Sequence, residues 1–379
     1  MENRILFVDH AAVLGGAELS LLDLAKANRH RSSVLLFESG PFLEKLSLAG
    51  VNVETITVDR SILSIKSSNS LKNLRAIFKL WKVVSYVREE GKKYDLIYAN
   101  SQKSFIIAAL ARWLGGTPVV WHLRDIITSK HFSLTNRWIA VQLANSQACR
   151  VIVNSKATGA AFVAAGGHSS LVRLMYNGLS SEPFENLDKE TVASIRAELN
   201  ISSEAILIGS FSRLSYWKGQ HILLDAIRFL PDVHVLIVGE ALFGEDDYAN
   251  RLKDLAKIPS LANRVHWLGF RSDIPELMVA CNIIVHTSTE PEPFGRVIVE
   301  GQLSRRPVIA TRAGGAEELI EDGKTGLLVS PGNSEALMSA IQYLLDNPFK
   351  MQEISRNAYD HARKNFSLER LLKEFEDLF

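Results

Sequence analysis

The chain has 379 residues, 47% hydrophobic and 22% charged, with 23 Gly, 11 Pro, 2 Cys and a formal net charge of +1. These proportions exclude a disordered chain, a collagen-like repeat and a disulfide scaffold, and the length favours two domains over one. Cys149 and Cys281 match no metal or redox spacing, so both read as buried thiols of a reducing compartment. Residues 1–9 read as a strand rather than a signal peptide, and no apolar run approaches the roughly 18–20 residues that span a bilayer. A cytoplasmic, soluble chain is expected. The near-neutral total hides an asymmetry. Residues 1–180 hold 22 Lys+Arg against 12 Asp+Glu, and residues 181–379 hold 21 against 30. A basic half suits an anionic partner, or two domains simply differ in surface charge.

In chain order, short β-branched runs alternate with helical patterns. The first half has runs at Ile5–Asp9, Val34–Glu38, Glu54–Val58, Asp95–Asn100, Pro118–His122, Arg150–Asn154 and Val172–Asn177. The second has Ala205–Phe211, Val233–Gly239, Val265–Gly269, Ile283–Thr287, Pro307–Thr311 and Gly326–Val329. Most are apolar throughout, as in parallel strands buried on both faces. Helical patterns such as Ala17–Asn28, Gly219–Phe229, Pro348–Asn365 and Leu368–Phe379 lie between or after them. This alternation predicts two doubly wound α/β domains, with the boundary in the polar stretch Leu179–Asp188. Between Lys66 and Lys93, Lys72, Arg75, Lys79 and Lys82 recur at helical spacing. Each follows directly after one of Leu71, Leu74, Phe78 and Trp81, so a basic stripe borders an apolar one. It reads either as the solvated face of an amphipathic helix or as a docking surface for anionic lipid.

Four segments carry candidate chemistry. Gly15-Gly16 follows the first strand and opens a helix, so the backbone can approach an anion at a helix start. Arg213 and Lys218 lie in the loop after the first strand of the second half, where two cations can neutralise a diphosphate. Glu292 and Glu300 stand eight positions apart around Pro293, Phe294, Gly295, Arg296 and Val297. The second can accept hydrogen bonds from ribose hydroxyls and the first can reach a sugar ring, while the backbone between them offers N–H groups. His122 ends a strand in the basic half; Asp125 either orients it or caps the next segment, and His10 reads as structural. No HExxH, Cys cluster or Asp-x-Asp pair is present, and Glu245-Asp246-Asp247 reads as a solvated loop. A diphosphate leaving group can be offset by Arg213, Lys218 and helix N-termini, so no metal is expected.

Taken together these segments resemble the GT-B glycosyltransferases of family 4. Glu292 to Glu300 resembles the family's E-x7-E signature, Arg213 with Lys218-Gly219 its diphosphate-binding pair, and Gly15-Gly16 its N-terminal glycine loop. Residues 121–125 resemble its histidine motif, Asn177-Gly178 its pre-linker turn, and residues 325–329 its late strand. One departure is Gly314-Gly315-Ala316-Glu317-Glu318, where the family has Pro before the second acid. The resemblance implies two Rossmann-like domains facing across a cleft. It places an acceptor-binding domain at 1–182, a nucleotide-sugar-binding domain at 183–360, and a helix at 361–379 that returns to the first domain.

It also implies transfer of a hexose, glucose first, from a UDP-sugar to a saccharide or lipid-linked saccharide acceptor, with retention at the anomeric carbon. No cofactor and no nucleic acid enter; weak peripheral membrane association remains open. In this reading His122 contacts the donor sugar, Arg213 and Lys218 stabilise the departing diphosphate, and Glu300 holds the ribose. Glu292 and the Phe294–Gly295 backbone hold the sugar hydroxyls, Gly15-Gly16 closes over the phosphates, and Arg296, Val297 and Phe270 complete the donor-binding set. The alternatives are a GT-B sugar-nucleotide epimerase, a non-catalytic sugar-nucleotide-binding protein, and a nicotinamide oxidoreductase, which lacks its GxGxxG fingerprint here.

Overall fold

The structure, a computed structural model, describes residues 3–56, 70–128, 133–185, 187, 189–242 and 244–378. The side chains of residues 70–79 and 189 lie outside that description. All thirteen apolar runs overlap a strand, and residues 57 and 58 of the run Glu54–Val58 lie outside the described residues. The first seven are β1 (Ile5–Asp9), β2 (Ser32–Leu36), β3 (Asn52–Thr55), β4 (Leu96–Ala99), β5 (Val119–Leu123), β6 (Ala148–Val153) and β7 (Val172–Leu174). They form one sheet in the order β3-β2-β1-β4-β5-β6-β7, parallel throughout. The second sheet holds β8 (Ile206–Phe211), β9 (Val233–Val238), β10 (Val265–Gly269), β11 (Ile283–His286), β12 (Val308–Thr311) and β13 (Leu327–Val329). It runs β10-β9-β8-β11-β12-β13, again parallel. Each sheet reverses its strand order once, beside its first strand, and ligands of doubly wound sheets bind at the carboxyl ends of the strands flanking that reversal.

Helices cover the faces because the strands are apolar on both sides. The helix Gln102–Trp113 starts at a capping box in which Ser104 N donates to Ser101 Oγ and Ser101 N to Ser104 Oγ. It carries Phe105 onto Trp121 of β5, with ring centroids 4.5 Å apart and planes nearly parallel. Among the described side chains of the helix Ser70–Gly91, Val83, Val84 and Val87 are buried, whereas Trp81 is 38% exposed. The apolar stripe expected through Trp81 is therefore rotated at this end, and the seam continues from Leu80 at i+3, i+4 and i+7. Of the basic stripe, Lys82 is exposed, while the side chains of Lys72, Arg75 and Lys79 lie outside the described ones.

The chain forms two compact units, Met1–Asn177 with Leu371–Phe379, and Gly178–Arg370. The sequence divides it at 182/183 and 360/361. Backbone pairing explains the earlier division: Leu179 N donates to Phe366 O at 2.9 Å and Leu368 N to Leu179 O at 3.1 Å, tying Leu179 into the second unit. The stretch expected to be a polar linker contains a short helix, Glu182–Glu185. Pro183 fits its first turn, where a missing N–H leaves no intrahelical bond unmade. Likewise Asp246 and Asp247, expected in a loop, form the first turn of the helix Asp246–Leu255, where carboxylates complement the helix dipole. Cys281 is buried as expected, and Cys149 is half-buried beside Arg112.

At the reversal of the first sheet, Asp9 is fully buried. It accepts from His10 N at 2.7 Å and Asn100 Nδ2 at 2.6 Å. Asn100 Oδ1 accepts from Arg124 Nε at 2.7 Å, and Arg124 donates on to Asn177 Oδ1 at 2.9 Å. Burial and then the Asp9 charge push the neighbouring Glu18 carboxyl up to about 7. The folded chain thus binds that proton more tightly than the unfolded chain. Glu18 therefore lowers stability as pH rises from about 4.5 to about 7, and its full effect stands above that window. Glu18→Gln should flatten this limb: denaturant melts should show the variant more stable than wild type at pH 8 and equal to it near pH 4. Parallel curves at both pH values would contradict the assignment.

Candidate active site

The reversal point of the second sheet lies between β8 and β11. After β8 the chain passes Arg213, makes a tight turn over Tyr216–Lys218 and enters the helix Gln220–Ile227 through Gly219. Gly219 has φ +70°, and a Cβ there would stand 2.1 Å from Thr287 O, so only glycine lets this turn lie against the end of β11. Thr287 Oγ1 donates to Lys218 O at 2.9 Å and Thr289 N to Trp217 O at 2.7 Å, which fixes the turn.

The turn delivers the Lys218 ammonium to Glu292. Nζ stands 2.7 Å from Glu292 Oε2, with side-chain exposures of 15% and 12%. The same oxygen accepts from His286 Nε2 at 3.0 Å and Ser288 Oγ at 3.0 Å. Burial alone would raise the Glu292 carboxyl, but the Lys218 charge and the His286 and Lys218 hydrogen bonds outweigh it and hold it well below the usual range. Among the described residues Oε1 makes no hydrogen bond, so the carboxylate keeps one acceptor for another molecule. Trp217 flanks the cations: Lys218 Nζ lies 4.0 Å from its ring centre and the Arg213 guanidinium carbon 5.7 Å.

Glu292 is held from behind by glycines. Gly315 N donates to Glu292 O at 2.7 Å, and a Cβ on Gly314 (φ +68°) would stand 2.5 Å from that carbonyl. Close backbone approach therefore secures the loop that lacks the family's proline. Gly295 (φ +95°) then turns the chain into the helix Arg296–Leu303. Phe294 is buried with its ring edge-on to Phe366, and Val297 is half-buried in the first helical turn. Arg296 Nε and Glu300 Oε1 pair at 2.8 Å, one turn apart on this helix. Phe270, just past β10, is 62% exposed, and its N donates to Glu240 Oε1 at 3.2 Å.

The remaining expected residues belong to the first unit. Gly15 caps the helix Gly16–Ala27 in an extended conformation, and a Cβ there would stand 2.7 Å from Glu18 Oε2. His122 is 1% exposed within β5, and its Nδ1 is hydrogen-bonded to the Tyr98 hydroxyl. Burial holds its ring neutral, the Arg124 charge adding to the effect. His122 Nε2 is buried and has no hydrogen-bond partner among the described residues. Asp125 is exposed. His286, Ser288 and Trp217 are members of the second-unit cluster that sequence reading passed over. Their signal is positional: polar residues at and just after the end of an apolar parallel strand, and an aromatic between two cations.

Residues 15–178 match the glycosyl transferase 4-like domain and residues 192–361 the glycosyl transferases group 1 family. The chain is 41% identical to Anabaena Alr3699/HepE, whose structure is in complex with UDP-glucose, over 100% of this chain and 99% of that one, with a TM-score of 0.90. A glycosyltransferase from Rickettsia africae ESF-5 shares the fold at a TM-score of 0.84 and 24% identity, over 100% and 97% of the two chains. The D-inositol 3-phosphate glycosyltransferase of Corynebacterium urealyticum is 28% identical over 321 residues, 78% of this chain and 74% of that protein. With two Rossmann-like units and both family domains present in order, the chain belongs to the group 1 glycosyltransferases of family 4 and has their GT-B fold.

Proposed function

We propose that this glycosyltransferase moves glucose from UDP-glucose to a saccharide or lipid-linked saccharide acceptor, with retention at the anomeric carbon and without a metal. The observation that carries the donor is the likeness to Alr3699/HepE along the whole chain, that protein having UDP-glucose bound. The cluster around Lys218 and Glu292 supplies the chemistry. Lys218 and Arg213 face the diphosphate and stabilise the charge that grows on it as UDP leaves. Glu292, kept ionised by its three partners, accepts a sugar hydroxyl on Oε1. Glu300 takes the ribose hydroxyls, with Arg296 as the partner they join or displace. Phe270 offers an exposed ring to the base.

For the first unit the family resemblance assigns the Gly15-Gly16 backbone to the phosphates and His122 to the 6-hydroxyl of the sugar. The bond from the anomeric carbon to the β-phosphate oxygen breaks, and the acceptor oxygen bonds to that carbon on the same face. The acceptor proton passes to the β-phosphate oxygen, so no protein nucleophile is consumed. In this reading Lys218 and Arg213 take the electrostatic role that a metal would otherwise supply. Among the described residues no helix is long and apolar enough to cross a membrane, and a cytoplasmic location at the membrane's inner face suits a lipid-linked acceptor.

A thermal-shift screen tests the donor: UDP-glucose at 100 times its Kd should stabilise the chain by about 2.7 kcal/mol, well above GDP-glucose and ADP-glucose. Slow hydrolysis of UDP-glucose should persist in EDTA. Preference for another base, or a strict Mg²⁺ requirement, would overturn the corresponding part of the reading. A second experiment separates the two acids. Glu300→Gln should weaken UDP and UDP-glucose alike, because both carry the ribose. Glu292→Gln should leave UDP affinity within about threefold while turnover falls about 100-fold or more, an interaction felt chiefly in the transition state. Equal loss of UDP affinity in both variants would refute this division.

A further inference from the structure

The opposite end of the second sheet has its own concavity. A cavity of about 480 Å³ opens where β11 and β12 begin, and Asn282, Arg305, Arg306, Ser355 and Arg356 are among its walls. A second cavity of about 300 Å³ shares Asn282 and Arg306 with it and adds Arg196. Four arginines thus line two adjoining cavities, and no Asp or Glu lines either one.

Structural duties use only part of this charge. Arg196 donates to Ala280 O at 3.2 Å, Ser202 O at 2.9 Å, Ala205 O at 2.9 Å and Asn282 Oδ1 at 2.7 Å. Arg306 donates to Val279 O. Val279 and Ala280 end the helix Ile274–Ala280, whose last carbonyls carry partial negative charge. Neither arginine is bonded to a carboxylate among the described residues. Arg306 Nε is buried with no hydrogen-bond partner among them. Burial lowers the proton affinity of both guanidiniums; the Arg196 charge adds to the effect on Arg306, while the Glu204 charge offsets part of it on Arg196.

The other two arginines are presented outward. Arg305 holds a left-handed backbone, φ +55°, which disfavours any side chain by about 1–2 kcal/mol, and its guanidinium carbon lies 3.7 Å from the Tyr359 ring centre. Arg356 is exposed on the helix Pro348–Asn365, whose first turns also supply Met351 and Gln352 to the cavity.

We propose that this concavity is a second ligand site, which takes a compact soluble oxyanion of the phosphate, diphosphate or phosphomonoester class. Guanidinium forks match such oxygens two at a time, and the volume suits a small ligand. The site is separate from the donor cluster. β11 begins beside the cavity and ends at His286, three residue rises of ~3.3 Å later, so roughly 10 Å of strand divides them. The assignment does not depend on which sugar nucleotide is the donor.

Calorimetric titration of the full chain with inorganic pyrophosphate, at fixed ionic strength and with and without excess UDP, tests it. Saturable binding should persist under excess UDP. Arg356→Gln and Arg305→Gly should each weaken that binding about tenfold or more, while thermal stabilisation by UDP stays unchanged. Arg305→Gly removes the cation while easing the left-handed backbone, so lost binding in that variant is not a folding defect. Absence of saturable binding under excess UDP, or equal binding by wild type and both variants, would overturn the proposal. Association with phosphatidic acid vesicles without binding of free pyrophosphate would overturn the assignment to a soluble ligand.

Discussion

A carboxylate withdrawn from water must take up a proton or be compensated, and Glu292 is compensated through one oxygen by Lys218, His286 and Ser288. The local fold of the second unit follows from that requirement. Lys218 reaches the carboxylate because Gly219 lets its turn touch β11. His286 and Ser288 reach it because β11 ends beside the turn. Gly314 and Gly315 close on the Glu292 backbone so that the side chain is aimed from a fixed base. Such a buried pair contributes little net stability, yet removing one member typically costs about 3–5 kcal/mol, because the other is left charged and buried. The arrangement thus favours a fixed orientation of charge over stability, which suits the diphosphate we propose it meets.

The two sheets solve the same topological problem with different chemistry. Both place polar side chains at the carboxyl ends of the strands flanking the reversal. In the second unit, cations stand beside one fully ionised acid. In the first, buried Asp9 is satisfied by His10 and Asn100, and Glu18 nearby is left with a proton affinity near neutrality. His122 completes the first unit's set as a neutral ring held by Tyr98. A charged imidazole there would be both desolvated and repelled by Arg124.

Much of this was legible in the sequence, for identifiable reasons. Runs apolar on both faces mark buried parallel strands independently of context, so the central strands were predictable, whereas the mostly exposed edge strand β3 was placed two residues late. Lys218, Glu292 and Glu300 stood out because charged residues between strand ends, glycines and prolines have few structural uses. Spacing alone did not show that Lys218 and Glu292, 74 positions apart, share one hydrogen bond. That contact depends on the crossover that sets β11 beside β8. His286 passed unnoticed because a histidine ending an apolar strand resembles any core histidine until the loop folds back. The helix Glu182–Glu185 was hidden by composition, since acids and a proline describe a linker and a first helical turn equally well. Trp81 was misplaced because its helix follows a seam from Leu80, one position away from the stripe that periodicity suggested.

The central claim is that Lys218 and Glu292 act on the donor as one unit. A double-mutant cycle with Lys218→Met, Glu292→Gln and the pair, read by calorimetric titration with UDP-glucose and with UDP, tests it most directly. The account predicts a coupling of about 0.5–3 kcal/mol for UDP-glucose and a smaller one for UDP, because only UDP-glucose engages both residues, Lys218 through its diphosphate and Glu292 through its sugar. Additive effects on UDP-glucose binding would contradict it.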